Sequence, residues 1–227
     1  MPRNFLIVDF EFTMYTRPVG KPRDFFPEII EVGGVKLSGE DNRNLGEVQN
    51  FVKIHFFPRH AQEAMDFCMI TPDDMKKAIP FKSTVEKLSE LYVPGETYFV
   101  AWGTEDYRVL NLGCEKHRIK NPILHEDYLD IGEAYKIFKG EQQTPGLKRA
   151  TEELEVESDG LWHTAYDDAK NTGKVLVALL QKGWTPEQYF ADKERIEAER
   201  EAIREAKHKA WLERNKLKKC EELYLIN

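Results

Sequence analysis

Cysteine is scarce in this 227-residue sequence. There are three, Cys68, Cys114 and Cys220, far apart and without a C-x-x-C pair. This argues against a disulfide framework and a cysteine-rich zinc site, and it fits a reducing, cytoplasmic environment. No apolar run approaches the roughly 20 residues that a membrane-spanning helix needs, so no membrane partner is expected. The N-terminal stretch MPRNFLIVDFEF has one Arg, two acids and no small-residue cleavage site, so a signal peptide is not expected. Glycine-rich phosphate loops are missing, since neither G-x-G-x-x-G nor a P-loop occurs. Basic charge is in deficit too. Thirty-three Lys and Arg face 40 Asp and Glu, for a net charge of -7. Taken alone, that argues against a general nucleic-acid binder.

Hydrophobic residues make up 41% of the chain and charged residues 32%, enough of each for a soluble folded core. The length suits one domain of about 150–200 residues with an extension. Charge is unevenly placed. Residues 192–219 hold ten Lys or Arg and seven Asp or Glu, with no Gly or Pro, which leaves the remainder of the chain at -10. Rich in Ala, Glu, Lys and Arg, this stretch predicts one long helix. Thr185-Pro186 marks its entry, with Thr as N-cap and Pro at the first helical position. The expected division is a folded domain over 1–184 and a charged helical extension over 185–227.

Within the first part, NFLIVDFEF (4–12) is a near-continuous apolar run, as expected of a buried strand. EIIEVGGVKL (28–37) and EVQNFVKIHF (47–56) are β-rich and read as a hairpin. Helical spacing follows in STVEKLSELY (83–92), then a strand at TYFVAW (97–102) and a helix after it. DYLDI (127–131) predicts a short strand. Helices are expected to end at Gly140, to span 147–155, and to run from Ala165 to Lys182. This order predicts an α/β domain with a mixed sheet flanked by helices.

Three groups of residues could carry chemistry. Asp9 and Glu11 lie two apart on the first strand, so alternation puts both on one face. Two acids in an apolar run are costly to bury unpaired, and a divalent cation with oxygen preference would offset that cost. The competing reading is a strand end whose acids reach water. His163 and Asp168 bracket the start of the 165–182 helix, where both side chains can point to one mouth and Asp is favoured by the helix dipole. Here the alternatives are a surface acid and an ordinary loop histidine, and His125 with Asp130 repeats the spacing in another context. Asp106 follows the 97–102 strand at a helix start, with Glu105 and Asp127 as rival carboxylates.

Taken together, D-x-E on the first strand, Asp after a middle strand and H-x-x-x-x-D opening a late helix resemble the DEDDh 3′→5′ exonucleases of the ribonuclease H-like superfamily. The resemblance covers roughly residues 4–182, including FFPEIIEVGGVKL, FCMITPDDMKKA, AWGTEDYRVL and GLKRATEEL. Within that superfamily the sequence is most similar to the Eri-type enzymes, and VDFEFT with FFPEIIEVG to their bacterial sporulation-inhibitor branch. The resemblance implies a ribonuclease H-like fold and a metal-dependent 3′-5′ exonuclease that releases nucleoside 5′-monophosphates from RNA or single-stranded DNA 3′ ends. It implies Asp9, Glu11, Asp106 and Asp168 as ligands of two ions, Mg²⁺ or Mn²⁺, and His163 as general base. Two-metal hydrolysis and a residue type that titrates near neutrality suit this chemistry. By the same resemblance, Phe10, Phe12, Thr13 and Met14 contact the terminal nucleotide, although Phe10 and Phe12 also read as core. Trp102 reads equally as a base-stacking residue or as packing beneath the site.

The tail places Tyr189, Ile196, Ile203, Ala210 and Leu217 seven residues apart. One apolar residue per heptad is thin for a coiled coil. The helix is expected to pack on the domain or a protein partner, with a homodimer contact or an RNA-guiding arm as alternatives. A regulatory interaction protein of sporulation-inhibitor type on the same fold is the competing function.

Overall fold

The computed structural model of the chain describes residues 2–16 and 20–224. It forms two compact units, Met1–Gly183 and Trp184–Asn227. The first is built on five strands: β1 (Asn4–Phe12), β2 (Ile29–Leu37), β3 (Asn44–Phe51), β4 (Thr97–Ala101) and β5 (Tyr128–Asp130). Their order across the sheet is β3-β2-β1-β4-β5. The β1–β2 and β2–β3 pairs are antiparallel, and β1–β4 and β4–β5 are parallel. The helices are α1 (Gln62–Phe67), α2 (Pro72–Lys76), α3 (Phe81–Leu91), α4 (Glu105–His117), α5 (Ile131–Lys139), α6 (Leu147–Glu153) and α7 (Ala165–Gln181). This is the mixed, helix-flanked sheet that the sequence order predicts.

Alternation along β1 explains the layering. Leu6, Val8 and Phe10 face α3 and α4, where they join Val32, Phe99, Val85, Leu88, Val109 and Leu110 in one core. The opposite row starts apolar with Phe5 and Ile7, then turns acidic at Asp9 and Glu11. Its cross-strand partners on β2 are Leu37, Val35, Gly33 and Glu31. Because residues directly opposite in an antiparallel pair share a face, a third acid joins this row from β2. Helix α7 packs over β1 and β2.

One segment departs from the sequence expectation. The third strand spans 44–51 rather than 47–56. Its continuation is diverted because the buried Glu28 carboxylate accepts the backbone N–H groups of His55, Phe56 and Phe57, at 2.8, 3.0 and 2.6 Å. Two short helices, α1 and α2, fill the region before α3. Thr71 and Asp74 form a reciprocal capping box on α2.

The second unit is one helix, α8 (Pro186–Tyr224). Thr185 and Gln188 cap its start reciprocally, with the Gln188 N–H donating to Thr185 Oγ1 at 3.4 Å and the Thr185 N–H to Gln188 Oε1 at 3.1 Å. Ile203 and Trp211 of the apolar repeat region are exposed, while the Leu217 side chain lies outside the described residues. Among the described residues no helix is long and apolar enough to cross a membrane. Cys68 and Cys114 are free and buried.

One close approach sets the position of α7. A Cβ on Gly33 would lie 2.2 Å from Ala165 C and Tyr166 N, in the first turn of α7. Only a residue without a side chain lets the helix seat there. Gly173, further along α7, is different: its Cβ would meet nothing nearer than 3.7 Å. Gly33→Ala is therefore expected to lower stability by about 1–3 kcal/mol or more through overpacking. Gly173→Ala, in a helix interior, should be neutral or slightly stabilising. Urea denaturation midpoints of the two variants test the contrast, and equal effects would contradict it.

Candidate active site

The sheet opens where β1 outruns β4. The two strands pair only from Asn4–Thr97 to Ile7–Val100, so the far half of β1 has a free edge on that side. The buried Asp106, in the first turn of α4, fills the gap and accepts the Phe10 N–H at 2.8 Å on Oδ1. From the other direction α7 delivers Asp168. Its Oδ2 accepts the His163 N–H at 2.9 Å, and His163 adopts a left-handed backbone, φ 66°. That turn folds the 163 loop back over the helix start. Glu31 accepts the Ala165 N–H at 3.4 Å and so serves as a cap supplied from the sheet.

The result is convergence. Ligand atoms of Glu11, His163 and Asp168 all lie within 4.8 Å of one another. Asp9 feels the charges of Asp106, Glu11, Asp168 and Glu31. All five residues singled out for chemistry, Asp9, Glu11, Asp106, His163 and Asp168, thus meet at the C-terminal end of β1. The rivals go elsewhere. Asp127 binds Arg3, Tyr92 and the Gly95 N–H. Asp130 caps α5 through the Glu133 N–H, and Glu105 pairs with Arg108.

Burial and crowding raise the acids. Asp9 is pushed well above the usual carboxylate range, first by burial, then by Asp106 and Glu11. Burial takes Asp106 to about 7 against the opposing Phe10 N–H. Burial takes Asp168 to about 6 against the His163 N–H. Glu31 reaches about 7 through burial, opposed by the Ala165 N–H and helped by Glu11. Among the described residues no Lys or Arg pairs with Asp9, Glu11, Asp106 or Asp168, and the buried Oδ1 of Asp168 has no hydrogen-bond partner. A cluster of oxygen donors without a counter-charge and with an unused buried oxygen fits hard divalent cations.

Of the residues expected to touch a nucleotide, Phe12, Thr13 and Met14 line a groove of about 500 Å³ that also runs past Glu105 and Arg108. Phe10 and Trp102 take the packing alternative. The Phe10 ring is 3% exposed in the core beside Phe99. The Trp102 indole donates to the Pro145 carbonyl at 3.0 Å and its ring packs near Tyr135. Sequence reasoning missed three neighbours. Glu31 stands opposite Glu11 in the hairpin register, a signal available from the strand pattern. The Cys68 thiol donates to Glu11 Oε2 at 3.0 Å. The exposed Phe67 ring lies 4.5 Å from the His163 ring. Nothing in the local pattern announces the last two.

A family model described as an exonuclease matches residues 6–176. The chain belongs to this exonuclease family. It is 34% identical over 180 residues to a Bacillus subtilis protein named "Probable 3'-5' exonuclease KapD", which covers 78% of this chain and 85% of that one. It is 29% identical to human 3'-5' exoribonuclease 1 over 78% of this chain and 52% of the relative, so it spans about half the human protein's length. Among solved structures, the nuclease domain of 3'hExo, a DEDDh family member bound to rAMP, superposes with a TM-score of 0.69 at 27% identity, covering 80% of this chain and 94% of that domain. The chain is a 3′-5′ exonuclease of the DEDDh type, an enzyme acting on nucleic-acid ends in a family that depends on divalent metal.

The raised carboxyls have a measurable consequence. Between the unfolded values near 3.8–4.5 and the folded values of about 6–7, the native state holds protons that the unfolded chain has released. Stability then falls as pH rises through that window. The metal-free protein should melt at a lower temperature at pH 8 than at pH 5.5. Asp168→Asn should flatten the difference, and a divalent cation added at pH 8 should recover it. A melting temperature that climbs between pH 5.5 and 8 without metal would contradict the site's electrostatics.

Proposed function

We propose that the chain hydrolyses the terminal phosphodiester at RNA 3′ ends, with single-stranded DNA as a second substrate, and releases nucleoside 5′-monophosphates. In this reading Asp9, Glu11, Asp106 and Asp168 hold two divalent cations, Mg²⁺ or Mn²⁺, and His163 is the general base. The observation that carries it is the convergence of four carboxylates and one histidine, without a cationic partner among the described residues, at the end of β1. The preference for RNA is supported by the similarity to a human exoribonuclease and to a nuclease domain bound to rAMP.

Bound metal would supply charge neutralisation at the phosphate and a water poised for deprotonation. The chain's own residues do the rest. His163 is exposed at the mouth, so its imidazole can accept a proton from the attacking water and pass it to solvent. Its backbone is pinned by the bond to Asp168 and its ring is flanked by Phe67, which limits the positions it can take. Phe10 and Cys68 hold one oxygen each of Asp106 and Glu11 and leave the others free to coordinate. Phe12, Thr13 and Met14 form the wall against which a terminal base and sugar would rest. Thr13 is held rigidly there, exchanging hydrogen bonds with the Glu28 backbone.

The test uses 5′-labelled RNA and single-stranded DNA oligomers. A ladder shortening from the 3′ end is expected with Mg²⁺ or Mn²⁺ and should vanish with chelator and in Asp9→Asn and Asp168→Asn. His163→Ala should lose about 10²–10⁴-fold in turnover. Internal cuts, or undiminished cleavage by Asp9→Asn, would overturn the reading.

A further inference from the structure

A second depression lies beyond the groove beside the active site, at the far end of the helix that carries Asp106. Phe26, in the groove's wall, also lines a small cleft of about 10 Å³, and that cleft shares Lys53, Phe81 and His117 with the second depression, of about 370 Å³. Helix α4 runs along this line. Asp106 lies in its first turn and His117 at its last residue. At 1.5 Å per residue the separation along the axis is about 16 Å.

The second depression has its own chemistry. Lys53, His55, Lys82 and His117 converge on it, and no carboxylate lies in its wall. In a chain of net charge -7 this is a local departure. Glu28, in the wall of the adjoining cleft, is engaged by the backbone N–H groups of residues 55–57, which holds the His55 segment in place. Lys82 has only an exposed 3.8 Å contact with Glu86, the kind of pair that contributes little. Burial and the neighbouring His55 keep the His117 imidazole below its ordinary pKa, against the pull of Glu28. His117 is thereby a polar neighbour of the two lysines, its ring stacked on Phe81 at 4.7 Å. Phe56, 38% exposed, lies 5.0 Å from His117 and gives an apolar rim. Cationic groups beside aromatic faces are what a sequence-tolerant single-strand site requires.

We infer that this depression binds a phosphate of the substrate strand several nucleotides 5′ of the scissile bond. The inference rests on the exonuclease reading above and extends it to a remote subsite. At a stacked spacing of about 3.4 Å per nucleotide, the helix length corresponds to roughly five nucleotides. A dinucleotide cannot reach the depression, and a ten-nucleotide strand can.

The experiment compares these two substrate lengths, as RNA and as DNA, on the full chain. Lys53→Glu/Lys82→Glu, both exposed positions, should raise KM for the ten-nucleotide strand on the order of tenfold and make its salt dependence shallower. Hydrolysis of the dinucleotide should stay at the wild-type rate. Lys76→Glu/Lys77→Glu, at the exposed end of α2, should change neither. An unaltered KM for the longer strand would overturn the inference, as would an equal loss on both lengths. Failure of the wild-type chain to shorten either substrate would instead remove the exonuclease reading. In that event, fluorescence anisotropy of the labelled ten-nucleotide strand still decides the subsite: equal affinity for wild type and Lys53→Glu/Lys82→Glu would overturn it.

Discussion

The first turn of α7 touches the backbone of β2 at Gly33, and much of the site depends on that contact. A side chain at this position would occupy the space of the Ala165 carbonyl carbon and the Tyr166 nitrogen. Gly33 sits opposite Asp9 in the β1–β2 register, so the helix lands at the level of the acids. Two residues earlier on β2, Glu31 receives the Ala165 N–H. A hairpin at the N-terminus of the chain is thereby joined to a helix 134 residues later. Through that joint Asp168 and His163 are brought to Asp9 and Glu11.

The carboxylates follow a common pattern. Asp106, Asp168 and Glu11 each receive one donor from the protein, respectively the Phe10 N–H, the His163 N–H and the Cys68 thiol. All three donors are neutral. They fix the direction of each carboxylate without cancelling its charge, as hydrogen-bonded neighbours of metal ligands do. The cost is visible in the raised proton affinities of Asp9, Asp106 and Asp168. Local strain and desolvation of this kind are sustained by surrounding structure that over-determines the geometry. Here that structure is the α3–α4 core on one side of the sheet and α7 on the other.

The overall negative charge no longer stands against a nucleic-acid substrate. Part of it is concentrated in the carboxylate cluster, which suits cations. In the inferred subsite the cationic side chains are local, on the segment after β3 and at the start of α3. Net charge describes long-range steering and solubility, whereas an enzyme that grips a chain end works through a few placed groups.

Several elements were legible before any tertiary structure. The D-x-E pair, the Asp after a middle strand and the H-x-x-x-x-D at a helix start each rest on local geometry, a period of two or a helix N-terminus. Those periods are properties of the backbone and need no distant partner. The capping signals at Thr185 and Gly140 are local in the same way. The end of β3 was not legible, because it is decided by Glu28 reaching 27 to 29 residues along the chain. The choice of Asp106 over its rival carboxylates Glu105 and Asp127 came from the family resemblance and not from local pattern. Local pattern determined which side chains were available and which face each would take. Tertiary structure decided which acids lose their water and meet, because desolvation and close contact depend on what packs over a strand.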